Sequence, residues 1–169
     1  MLIGVIILSS IAALFLMNRT KGTLWFSKAG LSQGEIIDRF VRQLNSEGII
    51  GWLTLNAIGF DVRAILAICA WETGWLSDPK AKLRVNTKYN ILGIDIYGQP
   101  GVGQTFLSYY ACCASFERLI RTGARYASAY SVRDMGEPFI RALNLGGYNE
   151  TQTWLTGVLR CYRMLQDKI

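Results

Sequence analysis

Residues 62–75 read Val62-Arg63-Ala64-Ile65-Leu66-Ala67-Ile68-Cys69-Ala70-Trp71-Glu72-Thr73-Gly74-Trp75, an apolar run with one acid near its end. Asp61 stands where a helix N-cap is needed and Gly74 where a helix stops, so the run predicts a helix that belongs to a core. Glu72 is seven residues beyond Ile65 and three beyond Cys69, which puts it on the face of that helix that points inward. A carboxyl flanked by Trp71 and Trp75 loses hydration of its charged form, so its pKa should rise until it holds a proton near neutral pH. Such a group can serve as a general acid, and protonating a glycosidic oxygen is one task of that kind. The alternative is a Glu at a helix end that turns to solvent or pairs with an arginine such as Arg63.

Outward from this helix the pattern stays mainly helical. Ser32-Gln33-Gly34-Glu35 fits a capping box, and Ile36, Ile37, Phe40, Val41 and Leu44 recur with helical period until Gly48. Between Asn86 and Phe106, Gly93, Gly98, Gly101, Gly103 and Pro100 break up β-prone pieces such as Ile94-Asp95-Ile96-Tyr97, which predicts a small irregular hairpin lobe. The glycine spacing there is no phosphate loop, since no Gly-Lys-Ser/Thr follows it. Three more helices are predicted: one carrying Phe116, Leu119, Ile120 and Tyr126, one beginning near Glu137-Pro138, and one from Asn149 with Trp154, Leu155, Val158, Leu159, Tyr162 and Leu165 on one stripe.

A chain of 169 residues, 51% hydrophobic with only three prolines, is enough for one core, here residues 22–169 after an N-terminal segment 1–21. There is no histidine, which excludes Cys/His zinc sites and Ser-His or Cys-His nucleophile pairs. Cys69, Cys112, Cys113 and Cys161 sit among apolar residues and are expected as buried free thiols. No metal or cofactor motif is present. The formal charge of +6 suits a polyanionic partner. Arg118, Arg121 and Arg125 fall at helical spacing and read as a solvated face, so no specific nucleic-acid partner is expected.

Residues 2–17, LIGVIILSSIAALFLM, carry no charge and are followed by Asn18-Arg19-Thr20-Lys21. They are expected to enter a lipid bilayer as an uncleaved transmembrane helix, short enough that an extension toward Leu24-Trp25-Phe26 would help it span. The basic residues after the run would keep the following domain on the cytoplasmic side, as in a bacterial inner membrane, or inside a virion membrane acquired during assembly.

The segment Ala67-Ile68-Cys69-Ala70-Trp71-Glu72-Thr73-Gly74-Trp75 resembles the catalytic helix of the glucosaminidase family of peptidoglycan hydrolases, which ends in Glu-Ser/Thr-Gly-Trp. Tyr89-Asn90-Ile91-Leu92-Gly93-Ile94-Asp95 is similar to that family's Asn-Asn-Leu-Phe-Gly-Ile-Lys. Phe106, Tyr109, Ser115 and Phe116 reproduce the spacing of its Phe-x-x-Tyr-x-Ser-x-x-x-Ser-Phe/Ile stretch, and Gly147-Tyr148 with Trp154 resembles its Gly-Tyr-Ala-Thr-Asp-x-x-Tyr close. The four blocks stand in the family's order and span roughly residues 62 to 165.

The resemblance implies a lysozyme-like helical domain with a small β-hairpin lobe, cutting the β-1,4 bond after N-acetylglucosamine in peptidoglycan glycan strands. Glu72 would be the acid, Tyr148 the aromatic lining the cleft, Asn90 and Gly93 its floor, and Tyr109 a further substrate-side residue. Trp71, Trp75 and Trp154 are expected as packing. Asp95 stands where the family often has Lys, Ala111 replaces its first Ser, and Asn149-Glu150 replaces Ala-Thr. Asp95 is the first choice for a second, water-activating carboxylate, with Asp78 and Glu117 behind it, although Glu117 also fits an i to i+4 pair with Arg121. Two other readings stay open: a lytic transglycosylase, and a catalytically silent anchored structural or wall-binding protein. The anchored hydrolase would open the wall locally, beside other virion or envelope proteins.

Overall fold

The computed structural model describes residues 24–96 and 99–169. The anchor expected at residues 2–17 lies outside them, and among the described residues no helix is long and apolar enough to cross a membrane. The described chain is mainly helical, with one small antiparallel hairpin.

The first helix, α1 (Gln33–Ser46), opens with both halves of the capping box: the Ser32 hydroxyl accepts from the Glu35 amide and the Glu35 carboxylate accepts from the Ser32 amide at 2.8 Å. It buries Ile36, Ile37, Phe40 and Leu44. Gly48, left-handed at φ +70, then starts α2 (Ile49–Asn56), a helix that periodicity missed because Ile49-Ile50-Gly51-Trp52-Leu53 offers no polar face.

The decisive run forms α3 (Val62–Thr73), capped as expected. Asp61 accepts from the Ala64 amide at 3.0 Å, and left-handed Gly74 returns its amide to the Ala70 and Trp71 carbonyls. Every residue from Ala64 to Ala70 is buried, which defines α3 as the helix at the centre of the core. Phe40, Phe116, Phe139 and Trp154 are fully buried in the same cluster, each contributing about 1.5–3 kcal/mol of hydrophobic stabilisation.

Beyond Gly74 the backbone stays left-handed through Trp75 (φ 62) and Leu76 (φ 60). Side chains rarely accept this conformation, at a cost of roughly 1–3 kcal/mol each. Thr73 offsets part of it: its hydroxyl donates to the Cys69 carbonyl at 2.6 Å and accepts from the Leu76 amide at 3.0 Å. Residues 24–26 cross this turn in irregular conformation, with the Phe26 amide on the Leu76 carbonyl at 2.9 Å and the Trp25 indole on the Asp78 carbonyl at 3.3 Å. Leu24 is fully buried, so these three residues belong to the helical domain and do not lengthen a membrane helix.

A short helix α4 (Lys82–Asn86) leads to the lobe, where β1 (Asp95–Ile96) pairs with β2 (Gln99–Gly103), Asp95 opposite Gly103 and Ile96 opposite Gln99 with a register shift between. Then comes α5 (Tyr109–Thr122), capped by Ser108. It ends before Tyr126, which lies instead in a 3-10 turn (Ala124–Tyr126) ahead of α6 (Ala127–Ser131). Helix α7 (Glu137–Leu145) has Pro138 in its first turn. The last, α8 (Gln152–Met164), starts later than Asn149 because Thr151 is its cap, accepting from the Trp154 amide at 3.2 Å. Helix α8 lies along α3.

All four cysteines are buried free thiols. Burial pushes Cys112 and Cys161 up to about 12, so neither forms the nucleophilic thiolate near neutral pH. Arg121 and Arg125 are exposed, the first donating to Glu117 at 2.5 Å and the second lying over the Tyr126 ring at 4.7 Å.

Candidate active site

Glu72 occupies the last turn of α3, its side chain 16% exposed. Three elements hold it. From α8 the Trp154 indole N–H donates to Oε1 at 3.0 Å. From α4 the Arg84 guanidinium reaches Oε2 with Nη1 at 3.4 Å and donates from Nη2 to the Glu72 main-chain carbonyl. From the lobe comes Gly93, whose backbone lies directly against the carboxyl. A Cβ there would sit 2.6 Å from Glu72 Cδ, and φ is +70, so both space and backbone conformation require glycine.

Burial raises the pKa of Glu72 above the ordinary 4.5. The Arg84 charge and the Trp154 hydrogen bond pull it down, and the Asp95 charge pushes it up. The negative end of the α3 dipole acts in the same direction as burial. Glu72 therefore holds its proton to higher pH than a free glutamate does, while two donors keep the carboxyl aimed, the arrangement a general acid needs.

The other expected site residues divide. Asn90 is fully buried, and its amide is committed: Nδ2 donates to the Ile94 and Gln104 carbonyls at 2.6 and 3.0 Å, and Oδ1 accepts from the Ile94 amide at 3.0 Å. It ties the lobe together and so sets the position of Gly93, which keeps Asn90 in the floor and leaves its amide no free donor for a substrate. Tyr148 is half-buried, its hydroxyl donating to the Leu92 carbonyl at 2.5 Å and its ring packed between Phe116 and Trp154 at centroid distances of 5.6 and 5.7 Å. Burial, with the Glu72 charge beside it, holds its phenol well above the ordinary value. Tyr148 thus backs Trp154 and pins the lobe next to the acid.

Tyr109 is buried edge-to-face on Tyr89 at 5.1 Å, a packing role rather than the substrate-side one expected. The motif's spacing carried no information about which way it faces. Asp95 is exposed, and its Oδ2 accepts from the Gly101 amide at 2.7 Å across the hairpin. Its charge is felt at Glu72, while Asp78 accepts from the Lys80 amide at 2.9 Å and Glu117 pairs with Arg121.

Glu72 does pair with an arginine, but with Arg84 and not Arg63, which stacks on Tyr162 at 4.1 Å. Trp75 packs edge-to-face on Phe40, as expected of a core residue. Trp154 is core as well, 1% exposed, yet its N–H belongs to the site. Trp71 is 39% exposed and lies flat on Gly157 of α8, where no Cβ would fit. Sequence reasoning missed Arg84 and the role of Trp154; the available signal was that an acid in an apolar helix requires donors from elsewhere in the chain. Among the described residues no three Cys, Asp or Glu side chains converge as metal ligands. No family model, curated protein or solved structure matches the chain.

Proposed function

We propose that this chain is a peptidoglycan hydrolase with a lysozyme-like domain, cleaving the β-1,4 bond of glycan strands after N-acetylglucosamine with Glu72 as general acid. The observation that carries the reading is the setting of Glu72: a largely buried carboxyl, raised in pKa, at the end of a core helix where the hairpin lobe meets the helical body. The four sequence blocks that resemble the glucosaminidase family agree with it, three of them contributing groups around this carboxyl: Glu72 itself, Gly93, and Tyr148 with Trp154.

In this reading Glu72 gives its proton to the glycosidic oxygen as the C–O bond breaks, and charge develops on the sugar ring. Water then adds to the anomeric carbon and its proton returns to the solvent or to Glu72. Asp95 Oδ2 accepts from the Gly101 amide, which leaves its other oxygen to activate that water, and the substrate's own acetamido group is an alternative partner. The setting of Glu72 also fits a second reading, a lytic transglycosylase, which works with one carboxyl and releases anhydro-muramic ends. The uncharged run 2–17 would tether the domain to a bacterial inner membrane or a virion membrane, raising its local concentration at the wall.

The test is digestion of purified peptidoglycan by the full chain in detergent, beside Glu72→Gln, with product ends identified by mass spectrometry. Wild type should release N-acetylglucosamine reducing ends, and the variant should be slower by roughly 100- to 10,000-fold, the usual contribution of a general acid. Anhydro-muramic ends would replace the hydrolase by the transglycosylase. No products from folded wild type would remove the enzyme reading and leave a wall-binding or structural protein.

A further inference from the structure

Glu72 cannot act as an acid while its carboxylate serves as the counter-ion of Arg84. The pair is loose, 3.4 Å from Nη1 to Oε2, but Arg84 is also tethered through Nη2 to the main-chain carbonyl of Glu72. That second bond does not depend on the proton, so when Glu72 is protonated the guanidinium stays and loses its partner charge. Arg84 Nε is buried with no hydrogen-bond partner among the described residues, while the side chain as a whole is 28% exposed. The guanidinium is thus anchored, reachable from solvent and short of acceptors.

The other groups near the carboxyl do not replace that charge. Asp95 of the lobe is the nearby anion, and its Oδ2 already accepts from Gly101. The Tyr148 phenol and the Cys69 thiol of α3 itself are neutral, burial holding both above their ordinary values, and α8 contributes the neutral Trp154 indole.

We propose that Arg84 is the carboxylate-binding residue of this site: an acidic group on the sugar beside the scissile bond takes over the guanidinium and frees Glu72 to hold the proton it donates. The inference rests on the glycosidase reading and narrows its substrate to acidic glycans, as against neutral chitin-type chains. In peptidoglycan the carboxylate has two sources, the lactyl ether of muramic acid and the stem peptide. Arginine suits either, because its planar fork meets a carboxylate with two parallel N–H donors.

The experiment uses the full chain in detergent micelles with carboxyl-13C glutamate, the Glu72 resonance being assigned by its loss in Glu72→Gln. Glu72 is titrated alone and with three short saccharides whose linking oxygen is replaced by sulfur so that they are not cut: S-linked chitobiose, S-linked N-acetylglucosaminyl-muramic acid with a free lactyl carboxylate, and its peptide-bearing counterpart. Wild type should bind an acidic saccharide at least tenfold more tightly than chitobiose, with the Glu72 titration moving to higher pH. In Arg84→Gln the unliganded titration should already lie above wild type, because the cation that pulls it down is gone, and the acidic preference should vanish. Arg84→Lys, which keeps the charge and loses the fork, should retain part of the preference, and it stands in if the Gln variant does not fold. Response to the first acidic ligand identifies the lactyl group, and response to the second alone identifies the peptide.

Equal binding of acidic and neutral saccharides to wild type, or an acidic preference that survives in Arg84→Gln, overturns the assignment. The wall digestion separates the two claims. Digestion without acidic preference removes the role of Arg84 alone. Arg84-dependent binding without digestion removes the enzyme reading and leaves an acidic-glycan-binding site.

Discussion

The two ends of α3 are built from the same three kinds of group and do different things with them. At the N-terminal end Asp61 is met by Tyr162 of α8, whose hydroxyl donates to Oδ2 at 2.9 Å, while Arg63 lies over the Tyr162 ring and donates to the same hydroxyl. At the C-terminal end Glu72 is met by Trp154 of α8 and by Arg84. In both places an acid, an arginine and an aromatic from the same partner helix come together. The difference lies in the field and the solvent. Asp61 sits at the positive end of the helix dipole and caps the Ala64 amide, so its charge supports the fold. Glu72 sits at the negative end, mostly out of water, where its charge is opposed. A helix terminus therefore decides whether such a trio is a cap or a proton store.

The most severe way to break this contrast is Gly93→Ala. The added methyl collides with the Glu72 carboxyl and the residue must hold φ +70, so activity should fall at least as far as in Glu72→Gln. The equivalent insult near the other end, Gly136→Ala, presses on Tyr162 and Asp61 and should lower stability without a specific loss of turnover relative to folded protein. Thermal melts beside digestion rates separate the two.

Stability against pH sharpens the contrast next. Because Glu72 has a folded pKa above its ordinary 4.5, the folded state holds that proton more tightly than the unfolded chain. The resulting stability is complete below about 4.5 and is lost as pH rises through the folded value. Glu72→Gln cannot ionise, so it should melt higher than wild type at neutral pH, the gain vanishing toward pH 4. Asp61→Ala should instead cost about 0.5–2 kcal/mol, the usual cost of losing an N-cap. Denaturant midpoints at pH 4 and pH 7 check both.

The smallest effects come from the two aromatics of α8. Trp154→Phe removes a donor to the acid, one that lowers its pKa. The alkaline limb of the kcat/KM profile should move to higher pH while the rate falls about tenfold, the order expected for a hydrogen bond to a charged group. Tyr162→Phe should cost about 1 kcal/mol and leave the pH profile in place.

Local chemistry was legible in the sequence wherever the partner is a few residues away. The capping box at Ser32, the Asp61 and Gly74 limits of α3, Pro138 in the first turn of α7 and the inward face of Glu72 are all short-range facts. The partners of Glu72 were not, since Trp154 is 82 residues away and Arg84 reaches back through the left-handed turn and α4. For the same reason Asn90 could be placed near the lobe but not seen as its internal tie, and Tyr109 could be matched to a motif but not seen as buried. Helix α2 escaped because a run without a polar face carries no periodic signal.

The hydrogen bond from Trp154 to Glu72 gives the acid a built-in optical reporter. An indole only 1% exposed, whose N–H meets a carboxylate at 3.0 Å, changes its emission when that carboxylate takes a proton. The other four tryptophans form the background, and Trp154→Phe is the blank that subtracts it. Fluorescence from unlabelled protein can thus follow the charge of one buried side chain, in the resting chain and as each candidate glycan is added.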